Sequence, residues 1–374
     1  SHVFASESAR EAVSAWRSHP GYRRSLSRLV FDGDRVIAAA LVRDVPVRVG
    51  EVIVPQVDIG FAVCDPEFDK SGYAILFEAL LTGLADAGYC LAQIVGDRFR
   101  EYGFVGGVVR HGFRVVPAKT ETEMPTGWSE REITSDDVDA VVSLYTRTLG
   151  VYDLAPQLTA DIWRARIANG ALTDTRLVFD PAERLRAYAV FSHQDTPRVT
   201  ELGVDDDTTA ALAAFDTLVR YARKRKIDVL TGDAPPDTTF AQVTLERFGV
   251  VWERRMDTRT GPLFRIIDGE KLMRSLEPTL AERWTLRRHA TPYATVSLRS
   301  PVGRFSLVPS RDSLRVIVGS EVGRPIFLSV DALTRLILGF DRAGRVLNEA
   351  NVHVSDETIR VLDAIFSRST VWRT

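Results

Sequence analysis

Apolar residues in the first third of the chain follow two spacings, one typical of helices and one typical of strands. Helical spacing predicts a helix over Ala9–Trp16 and a longer amphipathic helix over Tyr73–Ala87, which Gly88 ends in a left-handed conformation. Alternating or continuous apolar runs predict strands over Leu29–Phe31 and Val36–Val42, joined by the turn Asp32–Asp34, and over Val52–Val63 and Leu91–Val95. Strands alternating with helices indicate an α/β unit.

A polar, aperiodic linker over Pro117–Gly127 leads to a second stretch with the same order of elements. The predicted elements are a strand over Glu130–Ile133, a helix over Asp136–Leu149 capped by Ser135, strands over Leu177–Phe179, Leu185–Phe191 and Val199–Val204, a helix over Thr208–Arg225 and a strand over Ile227–Leu230. The repeated order predicts two copies of one α/β unit. Because the strand Glu130–Ile133 has no counterpart in the first copy, we expect the first copy to lack its first strand in this sequence.

From about Gly261 the pattern changes to several strands with helices before and after them. The predicted helices are Gly269–Leu276, Asp331–Phe340 and Asp356–Phe366, and the predicted strands are Ala294–Leu298, Arg304–Val308, Leu314–Val318 and Phe327–Ser329. Elements without strict alternation are typical of an α+β domain. The sequence therefore predicts an α/β unit over residues 1–116, a linker over 117–127, a second α/β unit over 128–260 and an α+β domain over 261–374.

Composition agrees with this division and excludes several classes of partner. A chain of 374 residues is longer than one hydrophobic core usually supports. Its 48 basic and 50 acidic residues give a net charge of -2, so no global field holds nucleic acid or an anionic membrane. Apolar runs such as Tyr73–Leu81 are shorter than the roughly 18 residues of a membrane span. The sequence shows no secretory leader, and we expect a cytoplasmic protein.

Cysteine and histidine do not form a metal-binding pattern. Cys64 and Cys90 are too few for a disulfide framework or a zinc site, and we expect both to be buried thiols. His111 and His193 have no carboxylate or cysteine partner at ligand spacing. The sequence predicts no metal.

One segment, Cys64–Ala74, joins a strand, a tight polar turn and a long helix, and it contains the candidate ligand-binding residues. Gly72 and Ala74 add little bulk, so the backbone can approach a ligand closely. The free N–H groups of the first helical turn, together with the helix dipole, form an anion site that a pyrophosphate fits. If the preceding strand splays from its neighbour, its edge can pair with an amide-containing ligand.

The order Val63-x-x-Pro66-x-Phe68, Gly72-x-Ala74, long helix, short strand and Gly103-Phe104 resembles the GNAT-type N-acetyltransferases. Two such units followed by an α+β segment resemble, over essentially the whole chain, the enhanced-intracellular-survival type. That resemblance implies two fused GNAT units, a C-terminal domain similar to sterol carrier protein, and self-association into a homo-oligomer. It also implies acetyl-CoA as co-substrate and a primary amine of a small molecule or peptide as acceptor. The residues that it assigns to the coenzyme are Phe61, Ala62, Val63, Asp69, Lys70, Ser71, Gly72, Tyr73 and Ala74.

Asp69 departs from the family's phosphate loop, which has Arg or Gln at this position. Two unit charges about 5 Å apart repel by roughly 1–3 kcal/mol at dielectrics between 80 and 20. A helix N-terminus attracts an anion by only about 0.3–2 kcal/mol. Asp69 therefore weakens coenzyme binding unless it turns outward or Lys70 compensates. The alternative is that Asp69 or Ser71 caps the helix itself and fills the anion site.

The family's general acid is commonly a tyrosine four residues before the terminal Gly-Phe. This sequence has Phe99 there, or Val108 when counted from Gly112-Phe113, and neither carries a proton to donate. Tyr102 is the nearest phenol, either an acid or an aromatic residue that packs on the sheet.

Asp58 is the candidate general base. It is out of phase with Val57, Ile59 and Phe61, and so faces the other side of its strand together with Gly60 and Ala62. A partly desolvated carboxylate has the raised pKa that suits a base, whereas the alternative is a solvated aspartate at a strand end.

The resemblance implies a further catalytic group, the C-terminal carboxylate of Thr374, near Trp372. We expect direct attack of the amine on the thioester, because Cys64 lies beside the phosphate turn rather than opposite the thioester. The second copy has Asp205-Asp206-Asp207 and no glycine in its loop, so it is expected to repel a coenzyme and to be structural. A non-catalytic module that binds coenzyme A or acts in assembly remains the alternative function.

Overall fold

The described residues form β-sheets of five, seven and four strands and a separate two-stranded ribbon. The structure is a computed structural model, and it describes residues 13, 14, 16–170, 172, 174–192, 197–256 and 261–366. These residues divide into two compact units. The first unit combines the chain up to Val108 with the residues from 261 onward, and the second spans Val109–Met256.

The strands, in chain order, are β1 (Arg28–Asp32), β2 (Arg35–Asp44), β3 (Val47–Val49), β4 (Val52–Val54), β5 (Gln56–Cys64), β6 (Leu91–Val95), β7 (Val109–Val115), β8 (Ser129–Glu132), β9 (Thr175–Phe179), β10 (Leu185–Ser192), β11 (Arg198–Val204), β12 (Leu230–Asp233), β13 (Val251–Met256), β14 (Pro262–Ile266), β15 (Val296–Ser300), β16 (Gly303–Pro309), β17 (Leu314–Val318) and β18 (Ile326–Phe327). The helices are α1 (Asp69–Asp86), α2 (Val138–Thr148), α3 (Ala160–Ala168), α4 (Thr208–Lys224), α5 (Thr239–Phe248), α6 (Gly269–Arg287), α7 (Val330–Ile337), α8 (Ala343–Glu349) and α9 (Asp356–Ile365).

The first unit is built on a sheet of order β1-β2-β5-β6-β14, in which only the β5–β6 pair is parallel. Apolar residues of α1, among them Leu76, Phe77 and Leu80, pack on Val57 and Ile59 of β5 in one core. The same unit contains the ribbon β3–β4 and a sheet of order β17-β16-β15-β18 with α6 to α9. In this unit the parallel pair β5–β6 lies beneath α1.

The second unit is built on a sheet of order β13-β7-β12-β11-β10-β9-β8, with a core that includes residues of α2, α4 and α5. Here too one pair, β11–β12, is parallel. The strand that we predicted over Ile227–Leu230 lies later in the chain, at β12, and the predicted helix cap is Thr134 rather than Ser135. Thr134 and Asp137 form a reciprocal capping box at a 3₁₀ turn, Ser135–Asp137, which delays the start of α2.

Most of the predicted elements of the first unit are confirmed. The hairpin β1–β2 and the strand β6 lie where the pattern places them, and Gly88 after α1 has a φ of 87°. The predicted strand over Val52–Val63 is wrong as a single element, because Pro55 separates β4 from β5. Helix α1 begins at Asp69 rather than Tyr73. Of the predicted helix Ala9–Trp16, residues 9–12 and 15 lie outside the described residues.

The chain does not pass from the five-stranded to the seven-stranded sheet at the linker that the sequence analysis predicted. Strand β7 was not predicted and lies within residues 1–116, which we assigned to the first unit, but it pairs with β12 and β13 of the seven-stranded sheet, and β14 pairs with β6. An apolar strand pattern is satisfied equally by either sheet, so the sequence alone does not assign β7 to one of them. The predicted linker Pro117–Gly127 contains a 3₁₀ turn, Pro117–Lys119, and no strand or α-helix.

Candidate active site

The parallel strands β5 and β6 separate halfway along β5. They pair from Gln56, opposite Leu91, as far as Ile59, opposite Ile94. Strand β5 then continues through Gly60–Cys64 beside β2 alone. Among the described residues, the backbone of this half of β5 has no partner strand on the β6 side. Such an edge accepts an extended, amide-containing ligand as an added strand.

A bulge at Phe61 reverses the side-chain pattern within this free half. Phe61 has a φ of 51°, and the register with β2 shifts between Ala39 and Leu41. The predicted common face of Val57, Ile59, Phe61 and Val63 is therefore wrong. The ring of Phe61 meets Trp16 edge to face at 5.6 Å, on the face opposite α1, whereas Ala62 packs into the core beneath α1.

A cavity of about 270 Å³ opens where the two strands separate. Its lining comes from the helical segment before β1 and from β2, β5, β6 and the turn after β6: Trp16, Arg43, Asp58, Ile59, Gly60, Phe61, Ala62, Gln93, Ile94, Val95, Arg98 and Phe99. The cavity therefore joins the candidate base, Asp58, to the free edge that begins at Gly60.

Asp58 is buried, with 5% of its surface exposed. Its Oδ2 lies 3.1 Å from Nη2 of Arg43, which is directly opposite on β2, and its Oδ1 accepts from Nε2 of Gln56 at 3.2 Å. Asp58 is thus neither the solvated aspartate at a strand end nor a carboxylate without a charged partner. It stands at the cavity wall, paired with the partly exposed Arg43.

Trp16 and Arg43 are site residues that the sequence analysis missed. The Arg43 guanidinium lies 4.1 Å from the Trp16 ring centroid, a cation–π contact. The same indole covers Gly60, where a Cβ would come within 2.4 Å of it. Trp16 fell inside a predicted helix, and the pairing of Arg43 with Asp58 depends on the β2–β5 register, which no local pattern reveals.

The turn before α1 is capped by Asp65, not by Asp69. The Asp65 carboxylate accepts from the Glu67 N–H at 3.1 Å and pairs with Arg35. Hydrogen bonds from Glu67 and Arg35 lower its pKa. This interaction serves the 3₁₀ turn Pro66–Phe68 and not the first turn of α1.

The N-terminus of α1 carries no side-chain cap. Its N-cap residue is Phe68, which has no side-chain oxygen. Asp69 and Lys70 are exposed, and no described residue hydrogen-bonds to the Asp69 carboxylate. The Ser71 hydroxyl donates to the Phe68 carbonyl at 3.1 Å. The self-capped alternative is therefore not found at Asp69 or at Ser71.

Gly72 has a packing reason that the sequence analysis did not foresee. It is buried, and a Cβ there would lie 2.3 Å from Sγ of Cys64. We attributed the missing side chain to the approach of a ligand, but the structure places the Cys64 thiol in that space. Burial, followed by the charge of Asp69, raises the pKa of this half-buried thiol. Cys90 is fully buried, and burial raises the pKa of Cys90 to about 11.

Tyr73 follows Gly72 and points its hydroxyl at the free half of β5. The hydroxyl donates to the Ala62 carbonyl at 3.1 Å and accepts from Nη1 of Arg98 at 3.3 Å. Tyr73 is 3% exposed, and burial raises the pKa of its phenol. Ala74 is on the exposed face of α1 and contributes no bulk beyond its methyl group.

The structure does not bring Tyr102, the predicted acid, to the cavity that contains Asp58. Phe99 lines the cavity, as its position predicts, but has no proton to donate. Tyr102 stacks on Phe77 with ring centroids 4.8 Å apart and does not line the cavity, which favours its packing interpretation. Burial raises the pKa of Tyr102. Val108 is buried, and Trp372 and Thr374 lie outside the described residues.

In the second unit two parallel strands also separate, but they leave almost no cavity between them. Strands β11 and β12 pair only at Arg198 and Val199, yet the cavity beside the rest of β11 is about 10 Å³, no more than one water molecule needs. Asp207 caps α4 by accepting from the N–H of Thr209 at 2.8 Å. The carboxylate thus occupies the place that a phosphate would need.

Arginines pair with two of the three carboxylates of the acidic loop in the second unit, and the third, Asp206, accepts hydrogen bonds from Thr239. Asp205 pairs with Arg147 at 2.7 Å and with Arg186 at 2.9 Å, and Arg186 also pairs with Asp207. The loop Asp205–Asp207 is therefore a network of ion pairs and hydrogen bonds, rather than the unpaired acidic loop from which we expected repulsion of a coenzyme.

Metal and membrane features are not found in the described part of the chain. No group of three or more His, Cys, Asp or Glu side chains is placed to hold a metal ion there. His111 lies on β7, where burial lowers its pKa, and His193 lies outside the described residues. Within the described ranges, no helix is both long and apolar enough to span a membrane.

The fold is that of GCN5-related N-acetyltransferases. One from Anabaena variabilis aligns over 98% of this chain and 92% of its own, with a TM-score of 0.72 and 14% identity. A probable N-acyltransferase from Enterococcus faecalis aligns over 98% and 91%, with a TM-score of 0.71 and 12% identity. Eis1 from Mycobacterium abscessus aligns over 98% and 96%, with a TM-score of 0.64 and 18% identity. No protein-family model and no curated protein sequence matches the chain. The predicted α/β character is confirmed.

Proposed function

We propose that the protein is an acetyl-CoA-dependent N-acetyltransferase and that its active site lies in the first unit. The observation that carries the proposal is the free half of β5, which runs from the cavity at Asp58 to the uncapped N-terminus of α1. A pantetheine arm pairs with Phe61–Val63 as an added strand, and its diphosphate binds at the first turn of α1, through Asp69–Ala74.

The cavity wall supports a primary amine as acceptor. Asp58 supplies a carboxylate, which it shares with Arg43, and Gln93 supplies a buried Oε1 that receives no hydrogen bond from the described residues. Carboxylate and amide oxygens accept hydrogen bonds from an ammonium group. The amine attacks the thioester directly, and Asp58, or the Thr374 carboxylate, accepts its proton.

The second unit and the C-terminal segment complete the proposal. The closed cavity and the Asp207 cap support a second GNAT-like unit without catalytic function. The C-terminal residues that follow β14 form a domain similar to sterol carrier protein, and the chain self-associates in the cytoplasm.

The alternative is a module that binds coenzyme A without catalysis. It is favoured by one observation: the cavity lining contains Phe99 and no phenol or thiol. In that case the same cleft binds the coenzyme, and the protein acts through assembly.

Thermal unfolding and thiol release together separate the two functions. Acetyl-CoA at 100 times its dissociation constant should stabilise the protein by about 2.7 kcal/mol. Thiol release is then followed with a panel of primary amines: an amino acid, a polyamine, an amino sugar and an arylalkylamine. A shift in melting with thiol release supports the transferase, and a shift without release supports the module. No shift contradicts both.

A further inference from the structure

The described side chains that line the cavity between β5 and β6 carry, together, one positive charge. Arg43 and Arg98 are the two cations and Asp58 is the anion, and the other described residues of the lining are uncharged. The chain as a whole has a net charge of -2, so this excess of positive charge is local to the cavity. A cavity wall with an excess of cations attracts anionic ligands and repels cationic ones.

The charge of Asp58 is balanced within the protein. Both Nε and Nη2 of Arg43 donate to Oδ2 of Asp58, at 3.3 and 3.1 Å, and Gln56 donates to Oδ1. A second cationic group on the acceptor would have to compete with this guanidinium for the same carboxylate. Asp58 therefore gives the cavity no preference for an acceptor that carries several positive charges.

Arg98 forms no ion pair with the residues that the structure describes. Its guanidinium donates to the Tyr73 hydroxyl at 3.3 Å and lies 5.7 Å from the Phe99 ring centroid, and both groups are uncharged. The carboxylate of the preceding residue, Asp97, pairs with Arg100 instead, at 2.5 Å. Because Arg98 is exposed and lines the cavity, its charge is available to a bound ligand.

The coenzyme, bound as proposed, does not bring a negative charge to Arg98. Its diphosphate binds at the first turn of α1, whereas Arg98 meets the Tyr73 hydroxyl, which donates to the Ala62 carbonyl in the middle of the free half of β5. The pantetheine arm and the acetyl group that reach the cavity are both uncharged. A negative charge for Arg98 is therefore left to the remaining component of the reaction, the acceptor amine.

We propose, on the basis of the proposed function, that the acceptor is a small primary amine with a carboxylate elsewhere in the molecule, and that Arg98 binds this carboxylate. A guanidinium presents its donors in a planar fork that matches a carboxylate. The cavity, at about 270 Å³, is slightly smaller than the usual ligand pocket of about 300–1,000 Å³, which favours a small acceptor. Free amino acids belong to this class, whereas polyamines and amino sugars with several amines do not.

A series of matched amines tests the need for the carboxylate. Unbranched amino acids from glycine to 6-aminohexanoate are compared with their carboxamides and with the diamines of the same length, by thiol release from acetyl-CoA with the full chain. Calculating kcat/KM for the neutral amine removes differences in amine pKa. At the best length, we expect the acid to be used at least tenfold better than the amide, and the diamine less well than the amide.

Substitutions of Arg98 test which residue reads the carboxylate. Arg98→Gln should lower kcat/KM for the acid at least tenfold, while kcat/KM for the amide and the dissociation constant of acetyl-CoA stay within about twofold. Arg98→Glu should reverse the preference, so that the diamine is used better than the acid, a result that loss of folding cannot produce. Arg100→Gln is the matched control, because Arg100 lies in the same turn, pairs with Asp97 and is not part of the cavity lining. It should keep the preference of wild type.

The outcomes separate this substrate class from the proposed function. Equal use of acid and amide by wild type, or weaker acetyl-CoA binding by Arg98→Gln with the preference retained, overturns the assignment of Arg98 and leaves the transferase intact. Absence of thiol release by wild type with every amine overturns the proposed function, and the substrate class with it.

Discussion

Asp69 is the residue of the proposed coenzyme site whose charge opposes a bound diphosphate. Its carboxylate is exposed and receives no hydrogen bond from the described residues, so its charge acts on a bound anion through solvent. At about 5 Å and high dielectric the repulsion is near 1 kcal/mol. The sequence could identify this conflict, but only the structure shows that Asp65, and not Asp69, caps the turn.

Asp69→Asn should tighten acetyl-CoA binding about fivefold, and Asp69→Arg should tighten it further, because the first removes a repulsion and the second adds an attraction. Calorimetric dissociation constants at low and high salt measure the effect, which should shrink at 0.5 M salt. Asp86→Asn, at the exposed other end of α1, is the control and should change nothing. Equal affinities for wild type and Asp69→Arg would mean that no anion binds at this helix end.

Gly72 and Cys64 form a pair whose fit can be measured. Gly72→Ala places a Cβ 2.3 Å from Cys64 Sγ and should cost about 1–3 kcal/mol in the free energy of unfolding. Cys64→Ala in the same chain removes the sulfur, so the double variant should recover most of that loss. Urea unfolding of the four proteins gives the coupling energy. Additive effects of the two substitutions would show that the glycine is needed for another reason.

At the scale of elements, hydrophobic periodicity was sufficient for β1, β2, β6, α1 and α4, each of which has a continuous pattern and clear turn residues. It failed where pairing depends on distant residues. The bulge at Phe61 arises from the register with β2, and the separation of β5 from β6 follows from where their pairing stops. Periodicity could therefore propose Asp58 and the strand that contains it as part of a site, but it could not place Trp16 and Arg43 beside them.

The capping box before α2 makes the free energy of unfolding depend on pH, and the direction of this dependence can be predicted. Hydrogen bonds from Arg131, the first cause, and from Thr134 lower the pKa of Asp137. A lowered folded-state pKa stabilises the protein fully above the unfolded value near 4, and this stability is lost as pH falls through the folded-state pKa. Asp137→Asn should therefore destabilise the protein at pH 7 and progressively less below pH 4.

Urea unfolding between pH 7 and pH 3 measures this difference between Asp137→Asn and wild type. The control is Asp139→Asn, since the Asp139 side chain is 85% exposed and lies in the next turn of the helix. Its effect should be small and nearly independent of pH. A destabilisation by Asp137→Asn that persists unchanged at pH 3 would exclude the ion pair as its cause.

At the scale of the whole molecule, strand β7 sets the limits of the second unit. It lies between β12 and β13, and within the described residues β13 pairs with β7 alone. A fragment of residues 109–256 should unfold cooperatively in urea. A fragment of residues 117–256, which follows the boundary predicted from the sequence, loses β7 and should aggregate or unfold without cooperativity. Equal stability of the two fragments would contradict this placement of β7.

The two units differ in cavity and helix cap, and this difference leads to the most direct test of the account. Isothermal titration of acetyl-CoA into the full chain counts the sites. We expect one coenzyme per chain. The first unit has an open cavity and an uncapped α1, whereas the second has a closed cavity and a helix capped by Asp207. Asp207→Ala, which opens the second helix end alone, should leave that affinity unchanged. Two equivalents per chain, or no heat of binding, would contradict the account.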